Sequence, residues 1–282
     1  MIEVLRAGAL TTVQDQGRPG YAHLGVPRSG ALDPAALRLA NRLVGNPETA
    51  AGLETTLTGC VLRFTRAATV ALTGAEVDVR VDRRPGDVGR PLSLPAGAVL
   101  RIGPARAGLR TWLAASGGIA VEPVLGSRAT DTLSGLGPPP LRDGDRLPLG
   151  TPAGPPAPAD FTATPVIPVA LRLALWPGPR QDWFTPAALD LLLTTPYAIS
   201  PASNRVGARL VGAALPRAVA GELPSEGLVL GAVQVPPDGQ PLIFLADHPT
   251  TGGYPVIGVV DDVTPLAQAR PGTTVTFHGP QR

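Results

Sequence analysis

The 282-residue chain contains no lysine: all 24 of its basic residues are arginine. That excludes a Walker A loop, a Schiff-base lysine and a biotin-carrying lysine within the chain. A compositional preference for Arg over Lys accounts for the pattern. Cysteine is nearly absent too. Cys60 stands alone, so there is no disulfide framework and no cysteine-based metal site. It lies in the strand-like run Cys60-Val-Leu-Arg-Phe64 and is expected as a buried small hydrophobe. The three histidines, His23, His248 and His278, have no metal-binding spacing, and no metal ligands are assigned. No apolar run approaches 18 residues, so no membrane span is expected. The start, Met1-Ile-Glu-Val-Leu-Arg-Ala7, lacks the charged and apolar regions of a signal peptide, and a cytoplasmic protein is expected. Net charge is only +2 and no Arg block occurs, which argues against nucleic acid as a partner. Neither G-x-G-x-x-G opening a helix nor a G-x-S-x-G elbow is found, which removes a Rossmann cofactor site and the α/β-hydrolase nucleophile.

What the chain has in quantity is Gly and Pro, 34 of each. That disfavours a helical bundle and favours short strands joined by tight turns. At about 100–200 residues per domain, the length suits one large or two modest domains. Glu76-Val-Asp-Val-Arg-Val-Asp82 alternates strictly, placing Val77, Val79 and Val81 on one face. Residues 99–102, 109–115, 169–175, 228–235, 242–246 and 273–277 also read as strands. Helices are few. Asp33 is a good N-cap with Pro34 at the first helical position and Gly45 as the stop, and Leu37, Ala40, Asn41 and Val44 share a face. A second helix starts at Thr185-Pro186 and runs through Leu193, and a short third one starts at Thr264-Pro265. The Pro/Ala-rich stretch 151–168 reads as a semi-rigid linker between an N-terminal β-rich subdomain, 1–150, and a C-terminal β-barrel subdomain, 169–282. Pro95-Ala-Gly97, Asp143-Gly144 and Pro271-Gly272 each precede a short alternating run, either as a weak internal repeat or as common β-turn chemistry.

Two segments are dense in polar groups. In the first, Gln14, Asp15, Arg18, Tyr21 and His23 crowd onto a Gly/Pro-built loop before the Asp33 helix. The simpler alternative there is a local Asp15–Arg18 pair with Tyr21 as a packing residue. In the second, Ser225-Glu226-Gly227, Gln234 and Asp247 stand near Thr250-Thr251-Gly252-Gly253-Tyr254 in the sequence. The paired glycines read as an anion nest that needs no lysine. Upstream, Arg205 and Arg209 are candidates to clamp a carboxylate or phosphate. A hairpin turn with solvated arginines is the plainer alternative.

These same residues carry a resemblance. The runs are Thr12-Val-Gln-Asp-Gln-Gly-Arg-Pro-Gly-Tyr21, Ser29-Gly-Ala-Leu-Asp33, Ala40-Asn-Arg-Leu-Val-Gly-Asn46, Gly231-Ala-Val-Gln-Val-Pro236 and Thr250-Thr-Gly-Gly-Tyr-Pro255. With Leu53-Glu54, Asn204-Arg205, Ser225-Glu-Gly227 and Ala246-Asp247 between them, they span almost the whole chain. The sequence resembles the family described as allophanate hydrolase subunit 2, as KipA-like, or as the 5-oxoprolinase C subunit. That family is also the second half of the urea carboxylase carboxyltransferase domain. It often reads Ser-Asp-Arg-Met-Gly where this chain has Ser203-Asn-Arg-Val-Gly207, and Asp-Arg-Gln-Thr-Thr where it has Asp247-His-Pro-Thr-Thr251.

The resemblance implies a mainly β fold with a few helices, a cyclophilin-like β-barrel in two subdomains. It implies two partners, a KipI-like protein (the 5-oxoprolinase B subunit) and a LamB/YcsF-like protein (the A subunit). The three together hydrolyse 5-oxo-L-proline to L-glutamate using ATP, with Mg2+. On that reading Asp15, Arg18, Glu226 and Asp247 are catalytic candidates. Gln14, Tyr21, Arg205, Arg209, Gln234, Thr250, Thr251, Gly252, Gly253 and Tyr254 are candidates for holding substrate or anion. Two alternatives stand beside it: a biotin-dependent carboxyltransferase half acting on a urea-like substrate, and a non-enzymatic regulator that binds a KipI-like kinase inhibitor.

Overall fold

The computed structural model describes residues 1–155, 167–221 and 223–279. Of the proposed linker, residues 156–166 lie outside the described ones. The backbone groups into two units, Met1–Arg18 with Ser29–Ile167, and Pro19–Arg28 with Pro168–Arg282. The short 19–28 segment thus groups with the second unit.

The first unit is an open sheet built on two long antiparallel strands, Ala68–Val81 and Val99–Ala115. The second of these also pairs with Val61–Phe64 through its first half and with Gly52–Thr56 through its second. Leu10–Gln14 lies beyond Gly52–Thr56, and Ile2–Arg6 beyond Val61–Phe64. The alternation at 76–82 is realised: Glu76, Asp78 and Arg80 are exposed, while Val77, Val79 and Val81 pack on the core with Ile2, Leu62, Leu72 and Leu100. The sequence suggests two strands, 99–102 and 109–115, where there is one of 17 residues. Gly103-Pro104 and Gly108 look like breakers. The sheet absorbs them where its register shifts between Gly74 and Val79, as bulges do.

Helix α1, Pro34–Leu43, starts where the sequence signals: the Asp33 carboxylate accepts the Ala36 N–H at 2.8 Å. Leu37, Ala40, Asn41 and Val44 are all buried, and Ala40, Leu43 and Val44 meet Ala71 and Ala114 on the two long strands. Gly45 follows at φ 73°, a left-handed stop. Helix α2, Pro186–Thr194, and a 3-10 turn at Thr264–Gln268 occupy the other two expected places. The three turn motifs share one device. Gly97, Gly144 and Gly272 have φ of 84°, 91° and 86°, each just before a strand.

The second unit is a closed barrel. Its strands run in the order Ala170–Pro177, Val256–Val260, Ala232–Gln234, Leu242–Phe244, Gly207–Val211, Tyr197–Ile199 and Thr274–His278. The last pairs with the first in parallel, Leu171 against Val275, while the other ladders are antiparallel. Closure leaves no barrel edge to pair with other chains. Leu171, Leu173 and Leu175 alternate inward, beside Val233, Ile243, Ile257 and Val275. Of the run 228–235, only Ala232–Gln234 joins the barrel, because Gly231 turns the chain at φ 82°. Just before the run, Glu226–Gly227 forms a separate two-stranded ladder with Thr251–Gly252.

Candidate functional site

In the first unit the polar residues of the 14–18 loop converge on the segment 124–131. Asp15 follows the strand Leu10–Gln14 and accepts three donors: Gly17 N–H at 2.8 Å, Ser127 Oγ at 2.6 Å and Arg128 N–H at 2.6 Å. Its carboxylate therefore organises two loops. Arg18 is 1% exposed; it donates Nε to the Val124 carbonyl at 3.4 Å and Nη2 to the Ala129 carbonyl. Among the described residues no Asp15–Arg18 ion pair forms. Gln14 donates Nε2 to Thr12 Oγ1 at 3.0 Å and to the Thr130 carbonyl at 2.9 Å. Three buried atoms here have no partner among the described residues: Gln14 Oε1, Arg18 Nη1 and Thr130 Oγ1. They are an acceptor, a donor and a hydroxyl, the complement of an amide or of water. Each unsatisfied buried polar group costs about 1–3 kcal/mol. Sequence reasoning does not find Thr130 or Arg128, and meets Ser127 only within the resemblance; all three lie more than a hundred residues away.

The second unit assembles the other segment around the Thr250–Tyr254 run. At its start, Arg205 donates Nε to Asp247 Oδ2 at 2.9 Å and Nη2 to Oδ1 at 3.0 Å. The two side chains are 1% and 0% exposed. Midway, Glu226 stands opposite Gly252 and Gly227 opposite Thr251. Arg180 forks onto Glu226, with Nε at 2.9 Å from Oε2 and Nη2 on Oε1. That contact holds the Glu226 carboxyl below the usual carboxylate range and raises the Arg180 guanidinium. Glu226 is thus ionised and unsuited to donate a proton at neutral pH. At the end of the run, Gln234 donates Nε2 to the Tyr254 carbonyl at 2.8 Å. Glu226, Gln234, Thr250, Thr251, Gly252, Gly253 and Tyr254 are therefore brought together, with Thr251 and Tyr254 exposed.

Two sequence expectations read differently in the structure. Thr251–Gly252 is extended, and neither Gly252 nor Gly253 has positive φ, so the alternating turn of an anion nest is not formed. A Cβ at 252 would lie 2.7 Å from Leu228 Cδ1 and 2.9 Å from Gln234 Nε2, so these two side-chain ends pack directly on the Gly252 backbone. The Arg205 fork is taken by Asp247, and this almost completely buried pair is the framework of the site. Arg209 is exposed on strand Gly207–Val211, beside a concavity of ≈ 140 Å³ that also holds Asp238 and Gln240. Tyr21 immediately precedes the 3-10 turn Ala22–Leu24, without a capping bond from its side chain, in the segment that groups with the second unit. Arg180 is absent from the sequence expectations, as is Arg217, whose Nη2 donates to the Val235 carbonyl at 2.5 Å. The missing acid at Asn204 changes little locally: Asn204 Oδ1 accepts the Val206 and Gly207 N–H groups at 2.8 and 3.3 Å, as an aspartate would.

Among the described residues no three His, Cys, Asp or Glu side chains gather to hold a metal ion. Asp15, Glu226 and Asp247 direct their oxygens at Ser127 and backbone amides, at Arg180 and at Arg205 respectively. No helix is long and apolar enough to cross a membrane among the described residues.

An open sheet with one capping helix, joined in sequence to a closed seven-stranded barrel, is a two-subdomain β architecture. Residues 24–279 match the carboxyltransferase domain, subdomain A and B, and the chain belongs to that family. It is 40% identical over 285 residues to the 5-oxoprolinase C subunit of Escherichia coli (strain K12), covering 98% of this chain and 90% of that protein. It is 31% identical over 304 residues to urea amidolyase of Saccharomyces cerevisiae, covering 98% of this chain but 16% of that one. The crystal structure of TTHA0988 is 38% identical with a TM-score of 0.88, and this chain spans 98% of its own length and 55% of that chain. Urea amidolyase of Kluyveromyces lactis superposes with a TM-score of 0.90 at 29% identity, over 99% of this chain and 19% of that one.

Proposed function

We propose that this chain is the C subunit of an ATP-dependent 5-oxoprolinase that opens 5-oxo-L-proline to L-glutamate with KipI-like B and LamB/YcsF-like A subunits in the cytoplasm. The observation that carries the reading is the near end-to-end likeness to the Escherichia coli 5-oxoprolinase C subunit, which takes in 90% of that relative. A five-membered lactam is a poor electrophile, and ATP supplies the phosphoryl group that turns its amide oxygen into a leaving group. Asp15, Glu226 and Asp247 are engaged by protein donors, and we assign the nucleotide to the partner proteins or to this chain's interface with them. This chain then binds and orients. Gln14 Oε1, Arg18 Nη1 and Thr130 Oγ1 match the donor and acceptor pattern of an amide. The ionised Glu226, paired with Gly252, and Gln234, bonded to the Tyr254 carbonyl, border the Thr250–Tyr254 run as a second polar segment. Cys60 is buried with its thiol pushed up to about 12, so it is no nucleophile.

The test is 5-oxo-L-proline-dependent ADP release by this chain with its KipI-like and LamB/YcsF-like partners, against this chain alone. Activity in the mixture only is the expected result. A second reading, a carboxyltransferase half that meets biotin on a separate carrier, is favoured by the family match and the urea amidolyase likeness. No turnover in any mixture, with stable binding to the KipI-like partner, would move the assignment to that reading or to the KipA-like regulator.

A further inference from the structure

We propose that Arg180 is the carboxylate-binding residue of the Thr250–Tyr254 site, that the side chain of Glu226 is its resident occupant, and that an incoming small carboxylate takes Glu226's place. The contact between them is the two-point fork with which arginine recognises carboxylates, Nε on one oxygen and Nη2 on the other. The pair is open to solvent, with side chains 36% and 31% exposed, whereas the Arg205–Asp247 pair is 1% and 0% exposed. An exposed ion pair is weakly held, and exchanging one carboxylate for another on the same fork is close to balanced. A buried pair has no such exit.

The two partners are not anchored alike. Arg180 follows the barrel strand Ala170–Pro177, and its N–H donates to the carbonyl of Val256 on the neighbouring strand at 3.2 Å. Glu226 sits on a two-residue strand in a ladder outside the barrel. The Arg180 backbone is therefore tied to the barrel, and the Glu226 backbone to a short ladder outside it. Glu226 is held ionised, so the exchange replaces one negative charge with another. Two other arginines of the second unit hold protein acceptors, Arg205 on Asp247 and Arg217 on the Val235 carbonyl, while Arg209 is exposed on the strand Gly207–Val211.

The choice of 5-oxo-L-proline as the test carboxylate rests on the function proposed above; the site itself does not. The full-length chain, labelled with 15N-arginine, is titrated with 5-oxo-L-proline, with acetate, with inorganic phosphate and with the amide of 5-oxo-L-proline, which lacks the carboxylate. The Arg180 Nε–H resonance, assigned by its loss in Arg180→Gln, is expected to shift with the first two and not with the amide. Affinity for 5-oxo-L-proline is expected to fall at least tenfold in Arg180→Gln and to rise about threefold or more in Glu226→Gln, which removes the internal competitor. Unchanged affinity in Arg180→Gln, or weaker binding in Glu226→Gln, overturns the proposal. So does a resonance that phosphate alone moves, or that nothing moves. If acetate displaces Glu226 but 5-oxo-L-proline does not, the carboxylate site stands and the 5-oxoprolinase reading falls. If the assembled enzyme turns over 5-oxo-L-proline with the same KM in Arg180→Gln, the reading stands and the site falls.

Discussion

Arg205 and Asp247 are joined twice over: the guanidinium grips both carboxylate oxygens, and the Asp247 N–H donates to the Arg205 carbonyl at 3.1 Å. With both side chains almost wholly buried, neither charge has water to fall back on. Asp247→Ala strands a buried guanidinium, at a cost of about 3–5 kcal/mol. The double variant Arg205→Met, Asp247→Leu removes both charges at similar volume and is expected to lose less than either single change. Urea unfolding of the three variants checks this. A single-variant loss below about 1 kcal/mol, the value of an exposed pair, would show that the pair is not what holds the start of the Thr250–Tyr254 run.

A second buried acid, Glu54, ties helix entry to the central sheet. Its Oε2 accepts the Trp112 Nε1–H and the Leu32 N–H, both at 3.0 Å, and Arg110 Nε lies 3.6 Å from Oε1. Trp112→Phe removes one donor to a charged acceptor and is expected to cost about 1.5–3 kcal/mol. Glu54→Gln neutralises the acid beside a buried arginine and is expected to cost more, about 3–5 kcal/mol. Thermal unfolding followed by circular dichroism ranks the two. The reverse order would mean that the Trp112 contact is packing rather than hydrogen bonding.

Local chemistry was readable in the sequence, and pairing at a distance was not. Asp33 and Pro34 announce their helix because a cap needs only its own first turn. Val77, Val79 and Val81 announce their face because alternation is a property of one strand. The Gly97, Gly144 and Gly272 turns follow from glycine's tolerance of positive φ. The same logic misleads at Gly252-Gly253, where the missing side chain makes room for Leu228 and Gln234 and the backbone stays extended. The arginines show the limit most clearly. Arg205 has the residue type and spacing of an anion clamp, but Asp247, 42 residues on, fills it. Arg180 follows an ordinary Gly178-Pro179 turn, and nothing near it in the sequence signals Glu226, 46 residues on.

The Arg180–Glu226 contact sets a pH dependence whose sign follows from which state it favours. The guanidinium lowers the Glu226 pKa in the folded chain, so the contact stabilises above the unfolded carboxyl's value and is lost as pH falls through the folded one. Arg180→Gln removes the main cause, and the Glu226 carboxyl is expected to titrate upward, toward the ordinary glutamate range. Carbon-13 chemical shifts of the Glu226 side chain across an acid titration measure it directly. An unchanged midpoint in the variant would mean that something other than Arg180 holds the carboxylate ionised.

Cys60 gives the opposite, alkaline dependence. Burial pushes its thiol from 9.0 up to about 12, against the smaller opposing pulls of Arg6 and Thr11. The unfolded chain therefore releases this proton near pH 9 while the folded chain keeps it, so the folded state binds one more proton between the two values. Stability must fall as pH rises through that window, by about 1.4 kcal/mol per pH unit from this group alone. Other groups titrate in the same range, so the comparison is with Cys60→Ala, which lacks the thiol and keeps the rest. Urea unfolding of both proteins from about pH 8 to about pH 11 is expected to give curves that converge, the native protein losing its advantage above the unfolded thiol's value. Parallel curves would mean that Cys60 exchanges its proton in the folded state as freely as in the unfolded one, and then the thiol would also be alkylated without unfolding.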